Sequence, residues 1–413
     1  MSISQNFPNT RPSLNLNFAR SQTLDPRITF TRTTSGTRVG PDGYIEVIPA
    51  DQPRFDFDPV TGECLGLLVE ESRSNSLLWS EDFSNWTVNN GSVQSNVITA
   101  PDGNVTADKL VENSSTGNKE VNRGSITFTS GTSLTYSCFV KASGRSSLRL
   151  AATSAFFDLV GTNAYFDLTS GTVHSITGGV TSASIIPYPN GWYRCIATIL
   201  PTSSGTGNVF ITLILSGVTS NYTGDGTSGI YIWGAQLEQG AFPTSYIPTS
   251  GSTVTRTSDN VSMIGENFSS WYNQSEGTIV SSWKMPTIPS STVSIISSFS
   301  DGTTNNRFMH YKSEFGANNL VRTSANGTSV NNSFGDIIFN ALSKTAFSYE
   351  TGTTITSYNG SPANVVSQSV PTSVNALYIG GSPSGITDGS VTFSQLTYYP
   401  RRLTNAQLIT LTR

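Results

Sequence analysis

At 413 residues the chain is too long for a single hydrophobic core, so two or three domains are expected. Only 12% of residues are charged, against about a quarter in average proteins, while 37 Gly, 19 Pro, 21 Phe and 15 Tyr describe a turn-rich, folded β chain rather than a disordered one. The net charge is −4 and Arg401-Arg402 is the one basic pair, which excludes nucleic-acid binding by phosphate neutralisation; no apolar run approaches the roughly 20 residues that cross a bilayer, so membrane insertion is not expected.

The first 75 residues hold seven Arg, nine acidic residues and no Lys, in runs that read as hairpins. RITFTRT, from Arg27 to Thr33, alternates, and TRVGPDGYIEVI turns through Gly40-Pro41-Asp42-Gly43. PRFDFDPVTGECLGLLVE turns around Asp58 to Gly62. Charges on short hairpins fit a docking surface, and a solvated meander packed on the next domain fits equally. Residues 76–248 read as a β-sandwich: SLTYSCFVKA, AYFDLTSGTV, GWYRCIATIL, NVFITLIL and GIYIWGAQLE are strand-like runs between Gly, Ser, Asn and Pro clusters. Tyr231 and Trp233 alternate with Ile230 and Ile232, the period of a strand with both faces buried. Gly240, Pro243 and Pro248 then make a joint that no helix crosses.

Residues 249–413 have the same β character. Phe268, Trp271 and Tyr272 suit one helical turn packed on the joint, Asn359-Gly360 is a hairpin-turn signal, and Thr404 with Gln407 has capping-box spacing for a short terminal helix. The expected fold is all-β: an N-terminal β-hairpin segment (1–75), two β-sandwich domains of jelly-roll type (76–248 and 249–413) and a short C-terminal helix. No heptad run or collagen-like glycine period is present, so any oligomer must use sandwich surfaces.

Three cysteines do not make a disulfide framework. Cys138 shares a strand face with Leu134, Tyr136 and Val140, and Cys195 with Tyr193, Ala197 and Ile199; both read as buried thiols, with a Cys138–Cys195 bridge as the alternative. His174 and His310 fall in different domains, and no metal or phosphate-loop motif appears. The carboxylate pairs Glu70-Glu71, Glu81-Asp82 and Asp56/Asp58 are the acid/base candidates. Sequence neighbours on a strand point to opposite faces, and Arg54 beside Asp56 and Asp58 suggests a surface ion pair. A non-enzymatic protein is expected. Gly224-Asp225-Gly226 reads as a turn before a strand.

Four stretches, in order, resemble a widespread group of bacteriophage virion proteins, the head spikes and tail fibres: LNLNFARSQTLDPRITFTRTTSGTRVGPDGYI, PRFDFDPVTGECLGLLVEESRSNSLLWSEDFSNW, NGWYRCIATI, and Gly229 to Val261. The resemblance covers roughly residues 14 to 270. It implies a virion surface protein; MSISQNFPNTRPSLNL has no basic head followed by an apolar stretch, so no signal peptide is expected and synthesis in the host cytoplasm would fit. The N-terminal segment would attach it to portal, tail or capsid proteins, and its copies would form a homotrimer. SNSLLWSEDFSNWTV is similar to the opening of carbohydrate-binding jelly rolls, and the part from KTAFSYETGTTITSYNGSPA to YYPRRLTNAQL resembles the concanavalin-like, laminin-G-like sandwich.

These resemblances imply adhesion to host cell-surface glycans. Aromatics at loops or strand ends are the candidates for stacking on sugar rings: Trp86, Tyr222, Trp271 and Tyr311. In such jelly rolls acidic residues near the first and last strands hold a structural Ca²⁺, and the matching positions are Glu81, Asp82 and Glu238. A head decoration or tail adaptor that binds no sugar is the alternative, and a polysaccharide depolymerase a third reading.

Overall fold

The computed structural model describes residues 7–153, 161–288, 293–383 and 389–413; the first six residues of the expected N-terminal segment lie outside them. The fold is all-β, built as two sandwiches of antiparallel sheets, with three short α-helices at Phe18–Ser21, Glu266–Ser269 and Asn405–Leu411 among the described residues. The last carries the expected capping box, in which the Thr404 side chain and Gln407 satisfy each other's backbone.

The middle sandwich packs two six-stranded sheets. One runs in the order Val180–Tyr188, Trp192–Ile199, Leu134–Ser143, Gly229–Gln239, Val105–Glu112 and Gly91–Thr99. The other runs Thr172–Thr177, Thr162–Asp167, Ser147–Thr153, Gly205–Ile214, Glu120–Phe128 and Thr87–Asn89. Strand alternation explains the core. Leu134, Tyr136, Cys138 and Val140 face inward beside Cys195, Ala197, Ile199, Ile230 and Ile232, as the sequence period implies. Cys138 and Cys195 are directly opposite each other across the pair of strands, and both are free thiols.

The first sheet of the middle sandwich is also covered on its outer face. Phe139, Trp192 and Trp233 point that way and form a second cluster with Ile45 and Tyr246, which come from the N-terminal hairpin and the joint. Phe139 meets Trp233 and Tyr246 edge-on at 5.5 and 6.1 Å. This explains why Ile230 to Trp233 is apolar at every position.

The other sandwich is made from both ends of the chain. Its eight-stranded sheet runs Asn364–Ser367, Thr353–Tyr358, Ser343–Glu350, Glu276–Lys284, Ser390–Tyr399, Cys64–Glu70 and Arg54–Phe57, with Leu14–Asn17 also paired to Ser390–Tyr399. Its seven-stranded partner begins with Thr29–Thr31 beside Asn260–Ile264. Residues 14–70, expected from the sequence in a separate hairpin segment, thus contribute four strands to the sheets of the last sandwich. The local hairpins are nonetheless present: Gly36–Val39 pairs with Ile45–Ile48, and Arg54–Phe57 with Cys64–Glu70. Phe268 and Trp271, expected on the joint, sink into this sandwich's core beside Phe299 and Tyr398.

The middle sandwich is therefore an insertion. The chain leaves the two-ended sandwich along Arg73–Asn75 and returns along Val254–Arg256, and these two strands pair with each other, Asn75 opposite Val254. Beneath this ribbon lies a buried ion cluster. Arg54 bonds Glu70 at 2.7 Å and also Asp259, Arg32 bonds Asp259 at 2.9 Å, and Arg256 lies 3.5 Å from Glu70. Ser245 of the joint donates to Glu70 through its backbone N–H (2.8 Å) and its hydroxyl (2.7 Å). Burial alone would raise the Glu70 carboxyl; the charges of Arg256 and Arg54 win and hold it at about 2.

Candidate functional site

The four aromatics expected at exposed loops are all buried. Trp86 donates its ring N–H to the carbonyls of Leu78 and Trp79 and packs on Phe83 at 5.0 Å. Tyr222 gives its hydroxyl to Glu112 at 2.6 Å, with Lys119 and Arg145 against its ring. Trp271 donates to the Asn267 carbonyl inside the two-ended sandwich, and Tyr311 lies under Arg322, which donates to its hydroxyl at 2.9 Å. Two are in one sandwich and two in the other, and with their faces covered none offers a platform to a sugar. Nearness to a loop misleads here: Tyr311 lies within the strand Arg307–Lys312 and Tyr222 in the strand Tyr222–Thr223, and each polar tip finds a partner within the protein.

The carboxylates proposed for calcium are likewise committed. Glu81 accepts from the Tyr246 hydroxyl at 2.9 Å. Asp82 caps a one-turn 3₁₀ helix by accepting from Ser84 and Asn85. Glu238, fully buried, accepts from Gln236 at 2.9 Å and from the backbone and hydroxyl of Thr244 at 2.9 and 2.7 Å. Glu81, Asp82 and Glu238 do not converge, and among the described residues no group of three or more His, Cys, Asp or Glu side chains is placed to hold a metal ion. The residues present do not fit a calcium cage. Asp225 closes its own turn by accepting from Thr227 and Ser228.

Arg54 is not a surface partner of Asp56 and Asp58. It is fully buried and belongs to the ion cluster, meeting Glu70 of the neighbouring strand and Asp259 of the segment that links Val254–Arg256 to Asn260–Ile264. Asp58 accepts from the N–H groups of Val60 and Thr61 and shapes the turn. Asp56 is left without an ion pair; it accepts from the Val39 N–H at 2.8 Å, and the Phe57 N–H also favours its charged form. Burial, the largest influence, pushes its carboxyl up to about 6 against the hydrogen bond from Val39. His310 is a core residue between Trp283 and Phe334, and burial brings its imidazole down to about 4.

Asp56 lies on the wall of a cleft of about 210 Å³ between the two sandwiches. The middle sandwich contributes Phe139, Ile186, Tyr188 and Arg194 from the outer face of its first sheet. The N-terminal hairpins contribute Arg38, Val39 and Asp56; the joint contributes Pro243 to Tyr246; the last part of the chain adds Lys284, Pro286, Asn340 and Thr392. Tyr188 is half-buried and stands edge-on to Phe139 at 5.0 Å. Arg194 is buried over the Phe139 ring at 5.5 Å and donates to the Thr244 carbonyl (2.9 Å) and the Ser137 hydroxyl (3.1 Å). The cleft therefore combines aromatic surface with hydroxyl, amide, carboxylate and cationic groups, drawn from segments as far apart in the chain as Arg38 and Thr392. Ile186 and Tyr188 alternate on one edge strand, and Asp56 stands out in the sequence only as half of the Asp56/Asp58 carboxylate pair; Lys284 carries no local signal.

No protein-family model matches the chain, and no curated protein matches it. Among solved structures it is similar to the carbohydrate-binding module of a Ruminococcus gnavus sialidase bound to α2,3-sialyllactose (17% identity, 36% of this chain and 88% of the other, TM-score 0.31). It is also similar to domain 4 of a Geobacillus stearothermophilus arabinanase in complex with arabinotriose (14%, 42% and 81%, 0.29). Mouse laminin α1 domains LG4-5 match at 10% identity over 65% of this chain and 84% of the other, with a TM-score of 0.25. Scores this low carry no conclusion about this chain.

Proposed function

We propose that the protein is a surface component of a bacteriophage particle, a head spike or tail fibre, and that it holds a host-surface saccharide in the cleft between its sandwiches. The virion assignment rests on the ordered sequence resemblance across residues 14 to 270. The saccharide assignment rests on one observation: Tyr188, beside Arg194, offers a half-buried aromatic face inside a cleft whose other walls present Asn340, Thr392 and Asp56. At about 210 Å³ the cleft is smaller than the roughly 300–1,000 Å³ of pockets for drug-sized molecules, a size that suits a single sugar ring. Attachment falls to the two-ended sandwich that the N-terminal segment helps to build, and a trimer would raise weak single-site affinity by multivalency.

Cryo-electron microscopy of the particle tests the first part, with three copies expected at each attachment point. A protein found free and unconnected with any particle overturns it. Glycan-array binding by the whole chain, lost in Tyr188→Ala, tests the second. A particle protein that binds no glycan would be a purely structural decoration or adaptor.

A further inference from the structure

The charges around the cleft are unevenly settled. Arg38 is neutralised by Glu46 at 2.8 Å, and Glu70 by Arg54 and Arg256. Two cations are not. Arg194 spends its two terminal nitrogens on a carbonyl and a hydroxyl, and no carboxylate lies within ion-pairing distance of it among the described residues. Lys284 is half-buried and makes neither an ion pair nor a side-chain hydrogen bond there; Asp58 feels its charge only from beyond bonding distance. Asp56 is the single carboxylate on the walls without an ion pair, so the lining carries an excess of positive charge. Low-dielectric walls concentrate that field on whatever enters.

We infer that the cleft takes an acidic saccharide, one bearing a carboxylate on the ring that lies against Tyr188, with Lys284 and Arg194 supplying the positive field for it. This rests on the reading of the cleft as a sugar site. With Asp56 offsetting part of the charge, a neutral sugar would leave the remaining positive excess of the lining uncompensated, whereas a uronic acid brings the missing anion together with hydroxyls for Asn340 and Thr392.

Isothermal titration of the full chain at pH 7.5 and low salt, with the methyl glycosides of glucuronic and galacturonic acid beside those of glucose and galactose, tests the inference. At least one uronide is expected to bind about tenfold more tightly than its neutral counterpart. Lys284→Gln should abolish that difference and Lys284→Arg should keep it, with unfolding temperatures confirming that both variants fold. Equal affinity for acid and neutral sugar, or a Lys284→Gln variant that still prefers the uronide, overturns the inference and leaves the sugar site standing. Binding of none of the four overturns the sugar reading of the cleft and this inference with it.

Discussion

Glu70 and Asp56 sit on neighbouring strands and are displaced in opposite directions, which separates their contributions to stability. Glu70 is ionised in the fold down to about 2, below its usual 4.5, so its contribution is complete above pH 4.5 and is lost as the pH falls towards 2. Glu70→Gln leaves Arg54 and Arg256 short of an anion and should cost about 3–5 kcal/mol at pH 7 by urea unfolding, a deficit that shrinks in acid. Asp56 has the reverse sign. Its carboxyl rises from 3.8 to about 6, so the fold gains from it below pH 3.8 and loses that gain as the pH rises through 6. Asp56→Asn should match the parent at pH 4 and exceed it at pH 7.5 by about 1–2 kcal/mol, discounted because the side chain is partly exposed to screening water. None of this was legible locally: Arg54 stands two residues from Asp56, but its strongest partner, Asp259, is 205 positions away.

At the scale of elements the sequence was informative wherever a pattern is local. The Gly40–Gly43 turn, the inward face of Leu134 to Val140 and the Thr404–Gln407 cap follow from residues within one strand or turn of each other. Asn359-Gly360 forms a tight turn with both residues at positive φ, yet the closest strand pair is Thr356 with Asn364, because Pro362 delays the return strand. Partners of the N-terminal strands were not legible, since Cys64–Glu70 meets Ser390–Tyr399 across more than 300 residues. Gly66 makes that junction possible. It sits at a bulge with φ near 119°, and a methyl group there would run into the Phe393 carbonyl oxygen. Gly66→Ala should destabilise the chain by about 1–3 kcal/mol in chemical denaturation, without altering the middle sandwich. A variant as stable as the parent would show that the two strands are not in close register.

For the whole molecule, insertion changes what counts as a folding unit. Residues 76–253 own both sheets of their sandwich and a closed core, whereas residues 1–75 find most of their partners in the last part of the chain. The fragment 76–253 should unfold cooperatively by circular dichroism, although with a lower midpoint, because Trp233, Phe139 and Trp192 lose Ile45 and part of their cover. The fragment 1–75 should show no cooperative transition. The cleft obeys the same logic: its walls come from stretches far apart in the chain, so its lining was not legible, and the loop-end aromatics that were legible, Trp86, Tyr222, Trp271 and Tyr311, lie elsewhere and are buried.

The paired ribbon at Arg73–Asn75 and Val254–Arg256 also fixes how the molecule carries tension. Both strands run side by side from one body to the other, so a pull that separates the sandwiches lies along the two backbones, while the hydrogen bonds between them lie across the pull. The strands share the load as a double tether instead of unzipping. Behind it the force arrives at Arg256 and Asp259, where Glu70, Arg54 and Arg32 clamp the returning chain to the N-terminal strands. A load passed from one sandwich to the other would thus be met by the buried ion cluster that binds the returning chain to the N-terminal strands.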